Sequence, residues 1–369
     1  MKINRIEVIA LRMPLPKPLK AATATITMRC TVLTRIHTSD GIVGECFSNN
    51  EDTGQKEIVR LIEEEITPRL IGRNALHVEA CWQAMHPITR DILRDRRMAI
   101  RAIACVDAAI WDAVGKYMQA PLHHVWGGQT DTIPAIAMGG YYKPKDDLLE
   151  LAREMSSLRD QGFAGCKLKV GALSPEQDAE RVRAARDGAG PGFWLMPDPN
   201  QGWSFDEALR FARAVQQYDI RWIEEPCHWQ NDKLDLARLR RTIDIALCAG
   251  QSEISKAGCR ELISAGGIDV CNFDPSWGGG PTEWRKVAML ADTFGVGIMS
   301  HLETQVGAAL AAGVPNGKCV EFMQPDRDPL YHTLVMNQPI IRDGHMTLSS
   351  LAGWGMELDP TLIEKIRIN

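Results

Sequence analysis

The sequence predicts an α/β barrel with a smaller α+β unit in front of it, on three observations. First, from about residue 133 short apolar runs alternate with amphipathic helical segments, a pattern typical of parallel strands that are covered on both faces. Second, eight such runs lie between Ile136 and Phe322, the number that closes a barrel. Third, seven of the runs end in chemically active side chains, as strands do at the catalytic face of barrel enzymes.

The first third of the chain, residues 1–128, has a different pattern. Apolar residues favour strands at 6–13 and 31–45, and the turn signal Ser39-Asp40-Gly41 predicts a hairpin. Helical periodicity follows at 55–70, 77–93 and 98–118, and the last of these is apolar on most faces, so we expect it to be buried. Strands followed by helices indicate an α+β unit.

Residues 129–333 carry the predicted barrel. Start signals such as Ser174-Pro175-Glu176, Ser204-Phe205-Asp206 and Pro281-Thr282-Glu283 mark the beginnings of several of its helices. The eighth strand is not followed by an obvious barrel helix. We expect the glycine-containing tail, residues 334–369, to form strand and loop and to pack back on the first unit.

Composition narrows the function classes. The chain has 369 residues, a formal net charge of −5 and no basic block, so we expect no nucleic-acid partner. No apolar run resembles a signal peptide or reaches a transmembrane length, which predicts a cytoplasmic protein without a membrane partner. The ten cysteines include no C-x-x-C pair and are expected to be buried thiols.

Oxygen-bearing side chains end three successive predicted strands. Asp198 and Glu224 end two of them, and Gln251 or Glu253 follows the third. An isolated aspartate at a strand end is more often a cap or turn residue. Three oxygen donors on adjacent strands, without cysteine or histidine among them, instead favour a hard cation such as Mg²⁺.

Candidate acid and base groups end the other strands. Lys167 and Lys169 flank Leu168, so strand alternation directs both lysines into the barrel mouth, where one could act as a base. Asp274 and His301 end consecutive strands, and an aspartate bonded to one ring nitrogen would orient the imidazole. The structural alternatives are solvated lysines, a structural histidine and, for Glu321, a salt bridge at the barrel rim.

These residues together resemble the mandelate racemase subgroup of the enolase superfamily. The resemblance covers nearly the whole chain and rests on the following motifs: Lys-Leu-Lys at 167–169, Asp198-Pro-Asn200, Glu224-Glu-Pro226, Asp274 with Gly278–Gly280, His301, Glu321 and the segment Ala104–Gly128. It implies an α+β capping domain, completed by the C-terminal segment, over a modified (β/α)7β barrel.

The resemblance also implies roles for the residues. One Mg²⁺ per subunit would be held by Asp198, Glu224 and a third ligand, while Lys169 and the His301–Asp274 pair would act on opposite faces of a small-molecule carboxylate. Lys167, Asn200 and Glu321 would bind that substrate, Glu321 as a hydrogen-bond donor. Where the family usually has Gly-Glu, this chain has Gly250-Gln251, so we favour Glu253 as third ligand and keep Gln251 as the alternative.

Removal of a proton next to a carboxylate can lead to several products. The polar candidate lid segments, 21–28 and 48–53, favour dehydration of an acid sugar, an aldonate or aldarate, to a 2-keto-3-deoxy product. A racemase, epimerase or lactone cycloisomerase is the alternative, and a non-catalytic barrel that kept the fold is the alternative from another class. A phosphate-binding barrel would use Gly278–Gly280 but leaves Lys169 unexplained. We expect the protein to be a homo-oligomer.

Overall fold

The structure, a computed structural model, describes residues 1–48, 54–143, 145 and 147–368. Its N-terminal part contains an antiparallel sheet of β1 (Ile3–Lys20), β2 (Thr25–Thr38) and β3 (Val43–Ser48), in that order. The predicted turn joins β2 to β3, and Gly41 takes the positive φ of 78° that this turn requires. The hairpin prediction is therefore confirmed.

Helices follow the sheet, as the α+β pattern predicts. They are α1 (Gln55–Arg60), a π-helical turn (Leu61–Ile66), α2 (Thr67–Leu70), α3 (Val78–Met85) with a 3-10 turn (His86–Arg90), α4 (Arg96–Met118) and α5 (Leu122–Val125). The long helix α4 is buried on most faces. It lies directly on β3, because a Cβ at Gly44 would come within 2.3 Å of the Ala109 carbonyl oxygen.

Eight parallel strands and seven intervening helices form the barrel. The strands are β4 (Thr132–Gly139), β5 (Gly165–Lys169), β6 (Trp194–Asp198), β7 (Ile223–Glu224), β8 (Leu247–Ala249), β9 (Val270–Cys271), β10 (Gly297–Ser300) and β11 (Gly317–Phe322). The helices are α6 (Leu148–Asp160), α7 (Pro175–Ala189), α8 (Phe205–Val215, with a 3-10 turn at Gln216–Tyr218), α9 (Asp232–Arg240), α10 (Lys256–Ser264), α11 (Pro281–Thr293) and α12 (Thr304–Ala312). This is the expected (β/α)7β order.

The barrel is nearly closed. Strand β4 pairs with both β5 and β11, and pairing continues to β6 on one side and through β10, β9 and β8 to β7 on the other. A bridge between Leu195 and Ile220 joins the two ends, and another between Trp203 and Cys227 connects the segments that follow β6 and β7. Seven side chains fill the interior below the mouth: Ile136, Met196, Trp222, Cys248, Val270, Met299 and Cys319. Because these side chains fill the interior, the candidate active site lies above them, at the polar carboxyl ends of the strands.

The C-terminal segment contains α13 (Pro329–Leu334), β12 (Ile340–Arg342), β13 (His345–Thr347) and α14 (Pro360–Ile366). Strand β13 pairs antiparallel with the start of β4, and Arg367 forms a bridge with Leu11 of β1. The tail therefore contacts both parts of the molecule. The two helices were not expected from the sequence, although Asp359 caps α14 by accepting hydrogen bonds from Thr361 N and Leu362 N. The limits at residues 128 and 333 stay predictions.

The structure also describes the burial of the cysteines and the character of the helices. All ten cysteines are buried thiols, as predicted. Among the residues that the structure describes, none of the helices combines the length and the apolar character needed to cross a bilayer.

Candidate active site

Lys167 lies at the centre of a buried charge cluster at the barrel mouth. Its side chain is fully buried, with Nζ 2.9 Å from Glu224 Oε1 and 2.5 Å from Glu321 Oε1. Asp198 Oδ2 is 3.9 Å away. Burial alone would lower the pKa of Lys167, but the carboxylates of Glu224, Glu321 and Asp198 hold that pKa well above its ordinary value. The ammonium group therefore stays charged inside the barrel.

Lys169 occupies the next inward position of β5. Its Nζ lies 2.6 Å from Asp198 Oδ2 and 3.1 Å from Asn200 Oδ1. The neighbours Cys166 and Leu168 belong to the core outside the barrel, so the alternation of β5 directs both lysines inward, as the sequence predicts. Burial lowers the pKa of Lys169, but the charge of Asp198 raises it above its ordinary value. A second cation bound to Asp198 would weaken this effect.

His301 and Asp274 are in direct contact. His301 Nδ1 lies 2.8 Å from Asp274 Oδ2, and both side chains are almost completely buried. The other oxygen, Asp274 Oδ1, accepts hydrogen bonds from Ser276 N, Ser276 Oγ and Trp277 N at 2.7, 2.7 and 3.1 Å. These three donors fix the carboxylate, which in turn fixes the imidazole and leaves Nε2 for proton transfer. The indole ring of Trp277 packs 5.2 Å from the imidazole ring.

Glu224 and Gln251, two of the candidate oxygen donors, lie side by side at the barrel mouth. Asn272 Nδ2 donates to Glu224 Oε1 at 2.9 Å and to Gln251 Oε1 at 3.0 Å, so one amide brings these two side chains together. Burial raises the pKa of Glu224 to about 7, although Lys167 opposes the shift. Glu224 Oε2 is buried without a hydrogen-bond partner among the described residues. An unpaired carboxylate oxygen beside Asp198 and Gln251 fits a hard cation such as Mg²⁺.

Glu253, the residue preferred from the sequence, lies away from the charge cluster. Its side chain pairs with Lys233 Nζ of α9 at 3.2 Å and contacts Gly258 of α10, on the helix side of the strand. The sequence argument placed Gln251 and Glu253 on one strand face, but β8 ends at Ala249 and Gly250 has a φ of 134°. A turn follows, in which Glu253 N donates to the Gly250 carbonyl at 3.1 Å. Alternation no longer applies there, and Gln251 is the residue that faces the cluster.

Several residues of the site were not singled out from the sequence. Asn272 lies two residues before Asp274, and the same-face rule applied to that run would have found it. Gln201, Glu225 and Ser252 form a second group, in which Glu225 Oε2 accepts from Gln201 Nε2 at 2.8 Å and from Ser252 Oγ at 3.3 Å. Gln201 and Glu225 have positive φ angles of 63° and 36°, so their direction could not follow from strand periodicity.

A cavity of about 410 Å³ joins these groups. Lys169, Asn200, Gln251 and His301 line it together with Glu225, and the segment 21–28 covers it, as expected of a lid. Asp198, Glu224, Lys167 and Glu321 lie buried behind this lining. Of the second expected lid, 48–53, only Ser48 lies within the described residues. Glu321 also accepts a hydrogen bond from Leu302 N at 2.9 Å, which holds it at the base of the cavity.

Family models match both parts of the chain. Residues 5–127 match the mandelate racemase/muconate lactonizing enzyme N-terminal domain, and residues 148–362 match the enolase C-terminal domain-like model. The chain belongs to the mandelate racemase/muconate lactonizing enzyme family of the enolase superfamily. A crystal structure of a mandelate racemase/muconate lactonizing enzyme has a TM-score of 0.96 and 42% identity, with 100% of each chain covered. Another family member, from a marine actinobacterium and in complex with magnesium, has a TM-score of 0.93 and 41% identity, over 100% of this chain and 99% of that one.

Characterised relatives act on acid sugars and their lactones. The arabinonate dehydratase of Saccharolobus solfataricus is 30% identical over 91% of this chain and 90% of its own length. The D-galactarolactone cycloisomerase of Agrobacterium fabrum is 29% identical over 100% of this chain and 99% of its own. The family's known activities thus include both dehydration and cycloisomerisation.

Proposed function

We propose that the protein removes the proton α to the carboxylate of an acid sugar and completes the loss of water to give a 2-keto-3-deoxy acid. The observation that carries this proposal is that Lys169 and His301, which is hydrogen-bonded to Asp274, line one cavity next to the buried oxygen donors. The reaction needs two groups that can transfer protons, and both must lie beside a cation site that binds the substrate carboxylate. Similarity to acid-sugar dehydratases over nearly the whole chain supports it.

Asp198, Glu224 and Gln251 would hold Mg²⁺, with Asn272 orienting the last two. When bound, the ion would supply positive charge against the negative charge that develops on the substrate carboxylate. Lys167 adds a fixed positive charge to the same region, and Glu321, when protonated, would donate a hydrogen bond to the carboxylate. These side chains bind and orient the acid so that its α-proton faces a base.

The proton balance is simple. One of Lys169 and His301 takes the α-proton and leaves a carbanionic, enolate-like carboxylate. The other donates a proton to the β-hydroxyl, which leaves as water, and the resulting enol becomes the 2-keto acid. Asp274 holds His301 in the orientation that either role requires.

Solvent exchange tests the proposal and assigns the base. Each sugar acid of a broad library is incubated with the enzyme and Mg²⁺ in deuterium oxide, and α-proton exchange and 2-keto acid formation are followed by NMR and a keto-acid assay. If Lys169 is the base, Lys169→Ala stops exchange; if His301 is the base, exchange survives in Lys169→Ala and is lost in His301→Asn. A wild-type enzyme that exchanges no α-proton of any acid would instead favour the non-catalytic barrel.

A racemase or cycloisomerase is the second candidate, favoured by the similarity to cycloisomerases over the full chain. Inversion of the α-carbon or opening of a lactone, without keto-acid formation, would establish it, and the residue assignments would be unchanged. We also propose, from the sequence, a cytoplasmic homo-oligomer without nucleic-acid or membrane partners.

A further inference from the structure

We propose that His123, His124 and Asp131 form a binding site for a transition-metal ion such as Zn²⁺, between α5 and β4. None of the three is among the described residues that line the cavity with Lys169 and His301. The site is therefore separate from the proposed Mg²⁺ site, and the inference does not depend on the proposed function.

The three side chains converge on one point. His123 Nε2 lies 3.0 Å from Asp131 Oδ1, and His124 Nε2 lies 2.6 Å from the same oxygen. The imidazole rings of the two adjacent histidines are 4.4 Å apart between their centroids. One ligand atom from each of the three residues lies within 4.8 Å of the other two. Two nitrogen donors and one oxygen donor thus surround a volume that a single ion can occupy.

The donor chemistry indicates which kind of ion fits. Imidazole nitrogens suit Zn²⁺ and neighbouring transition metals, whereas Mg²⁺ prefers oxygen ligands. His123 is 2% exposed and its burial lowers its pKa, while hydrogen bonds from His123 and His124 lower the pKa of Asp131. At neutral pH the buried imidazole is therefore neutral and the carboxylate is ionised, which are the forms that bind a metal. Three protein ligands leave a fourth position for water.

The observed distances require only small movements on metal binding. In a tetrahedral zinc site with bonds of about 2.1 Å, neighbouring ligand atoms lie about 3.4 Å apart, so each imidazole nitrogen must move away from Asp131 Oδ1 by less than about 1 Å. The side chains of His124 and Asp131 are 51% and 68% exposed, so both have room for this movement. The buried His123 can then keep its position.

The backbone that carries the three ligands is fixed on both sides. Gly128 N donates to the His123 carbonyl at 2.7 Å, and Leu348 N of the C-terminal segment donates to the Asp131 carbonyl at 2.9 Å. The histidines belong to α5, and Asp131 directly precedes β4. An ion bound to all three would join the last helix of the N-terminal part to the first strand of the barrel. Because the unfolded chain lacks this arrangement, the ion should stabilise the folded state.

Zinc titration of the Mg²⁺-saturated protein tests the site. The full chain is freed of metals with a chelator and then saturated with Mg²⁺, so that the oxygen-donor site is supplied with its own ion. Calorimetric titration with Zn²⁺ should show one bound equivalent, and the melting temperature should rise. Co²⁺, used as a spectroscopic probe, should give the visible absorption of a four-coordinate ion. A wild-type protein that binds no Zn²⁺ would overturn the inference and leave the cluster as a hydrogen-bonded junction.

Variants of the two exposed ligands assign the binding. His124→Ala should weaken Zn²⁺ binding by at least on the order of 100-fold, more than loss of an outer-sphere partner usually costs, and Asp131→Asn should weaken it as well. His228→Ala is the matched control, because it removes another exposed imidazole away from the cluster, and its Zn²⁺ affinity should equal that of the wild type. Binding that persists unchanged in both His124→Ala and Asp131→Asn would assign the ion to other donors and overturn the inference. Metal binding is measured without substrate, so failure of the proposed function would leave this result standing.

Discussion

Buried side chains at the barrel mouth are organised by charge pairing. Lys167 and Lys169 are almost fully enclosed, and each is kept charged by carboxylates from neighbouring strands. The carboxylates outnumber the lysines, and one oxygen of Glu224 has no partner among the described residues. An excess of buried oxygen donors destabilises the metal-free protein, because each unpaired ionised group loses its hydration. A bound divalent cation would offset that cost.

The third ligand can be tested by comparing two variants. Gln251→Ala should abolish the rise in melting temperature on Mg²⁺ titration, because it removes an oxygen that faces Glu224. Glu253→Ala is the matched control and should keep the rise, which corresponds to about 2.7 kcal/mol at 100 times Kd. Isothermal titration calorimetry provides an independent measurement. The opposite result, with binding lost only in Glu253→Ala, would restore the sequence-based preference.

Asp274 is expected to act through His301. Asp274→Asn should lower turnover by a factor on the order of 10² or more, because the imidazole loses the group that orients it and stabilises its charged form. The far-ultraviolet circular dichroism spectrum should be unchanged, since Ser276 and Trp277 can still donate to the remaining oxygen. Turnover within a factor of about two of the wild type would show that His301 needs no partner.

Elements of the two structural units meet at the start of α11. Asp107 of α4 accepts hydrogen bonds from Thr282 N at 2.8 Å and Thr282 Oγ1 at 2.7 Å. A carboxylate from the N-terminal part thus caps a barrel helix, close to the Gly278–Gly280 loop that follows Asp274. The contact is tight, since a Cβ at Gly280 would lie 2.5 Å from Asp107 Oδ2.

This contact gives the protein a pH-dependent stability. Burial raises the pKa of Asp107 from 3.8 to about 7, against the opposing hydrogen bonds from Thr282. Between about pH 4 and pH 7 the folded state therefore keeps a proton that the unfolded state has released, so stability falls as pH rises through this window. From the lower to the upper limit of this pH window, the free energy of unfolding of the wild type should fall by on the order of 2–4 kcal/mol relative to that of Asp107→Asn. Urea unfolding of both proteins at a series of pH values measures this free energy. If the difference between wild type and Asp107→Asn does not depend on pH, Asp107 is ionised in the folded state.

At the scale of the whole molecule, α4 contacts the C-terminal segment through Trp354. Trp354 is 2% exposed, its Nε1 donates to the Ala108 carbonyl at 2.8 Å, and its backbone N donates to Asp112 Oδ1 at 2.9 Å. Asp112 Oδ2 also accepts from Glu45 N of β3 at 2.8 Å. One buried aspartate thus joins the N-terminal sheet, α4 and the tail.

Truncation of Trp354 should weaken this junction. Trp354→Ala should lower the free energy of unfolding by about 3–5 kcal/mol, the usual cost of deleting a buried aromatic side chain. Trp229→Ala is the control, because Trp229 is 56% exposed and its loss should change stability by no more than about 0.5 kcal/mol. Denaturant unfolding of both variants gives the comparison, and equal losses would mean that Trp354 does not anchor the tail.

The sequence by itself determined the barrel and the inward direction of most charged residues at its mouth. Apolar runs covered on both faces specify parallel strands, and period-2 alternation within β5 and β6 places Lys167, Lys169 and Asp198 inward wherever the strand is regular. The pairing of His301 with Asp274 followed in the same way from consecutive strand ends. Local chain geometry was sufficient for these residues.

Only the tertiary structure decided what lies beyond the strand ends. Gly250 turns the chain so that Gln251 faces the cluster and Glu253 faces Lys233, while Gln201 and Glu225, which have positive φ angles, form another part of the cavity wall. Once the chain leaves the strand, side-chain direction depends on individual dihedral angles and on partners distant in sequence. Periodicity carries no information about either, so the positions of Gln251 and of Glu225 could be known only from the folded chain.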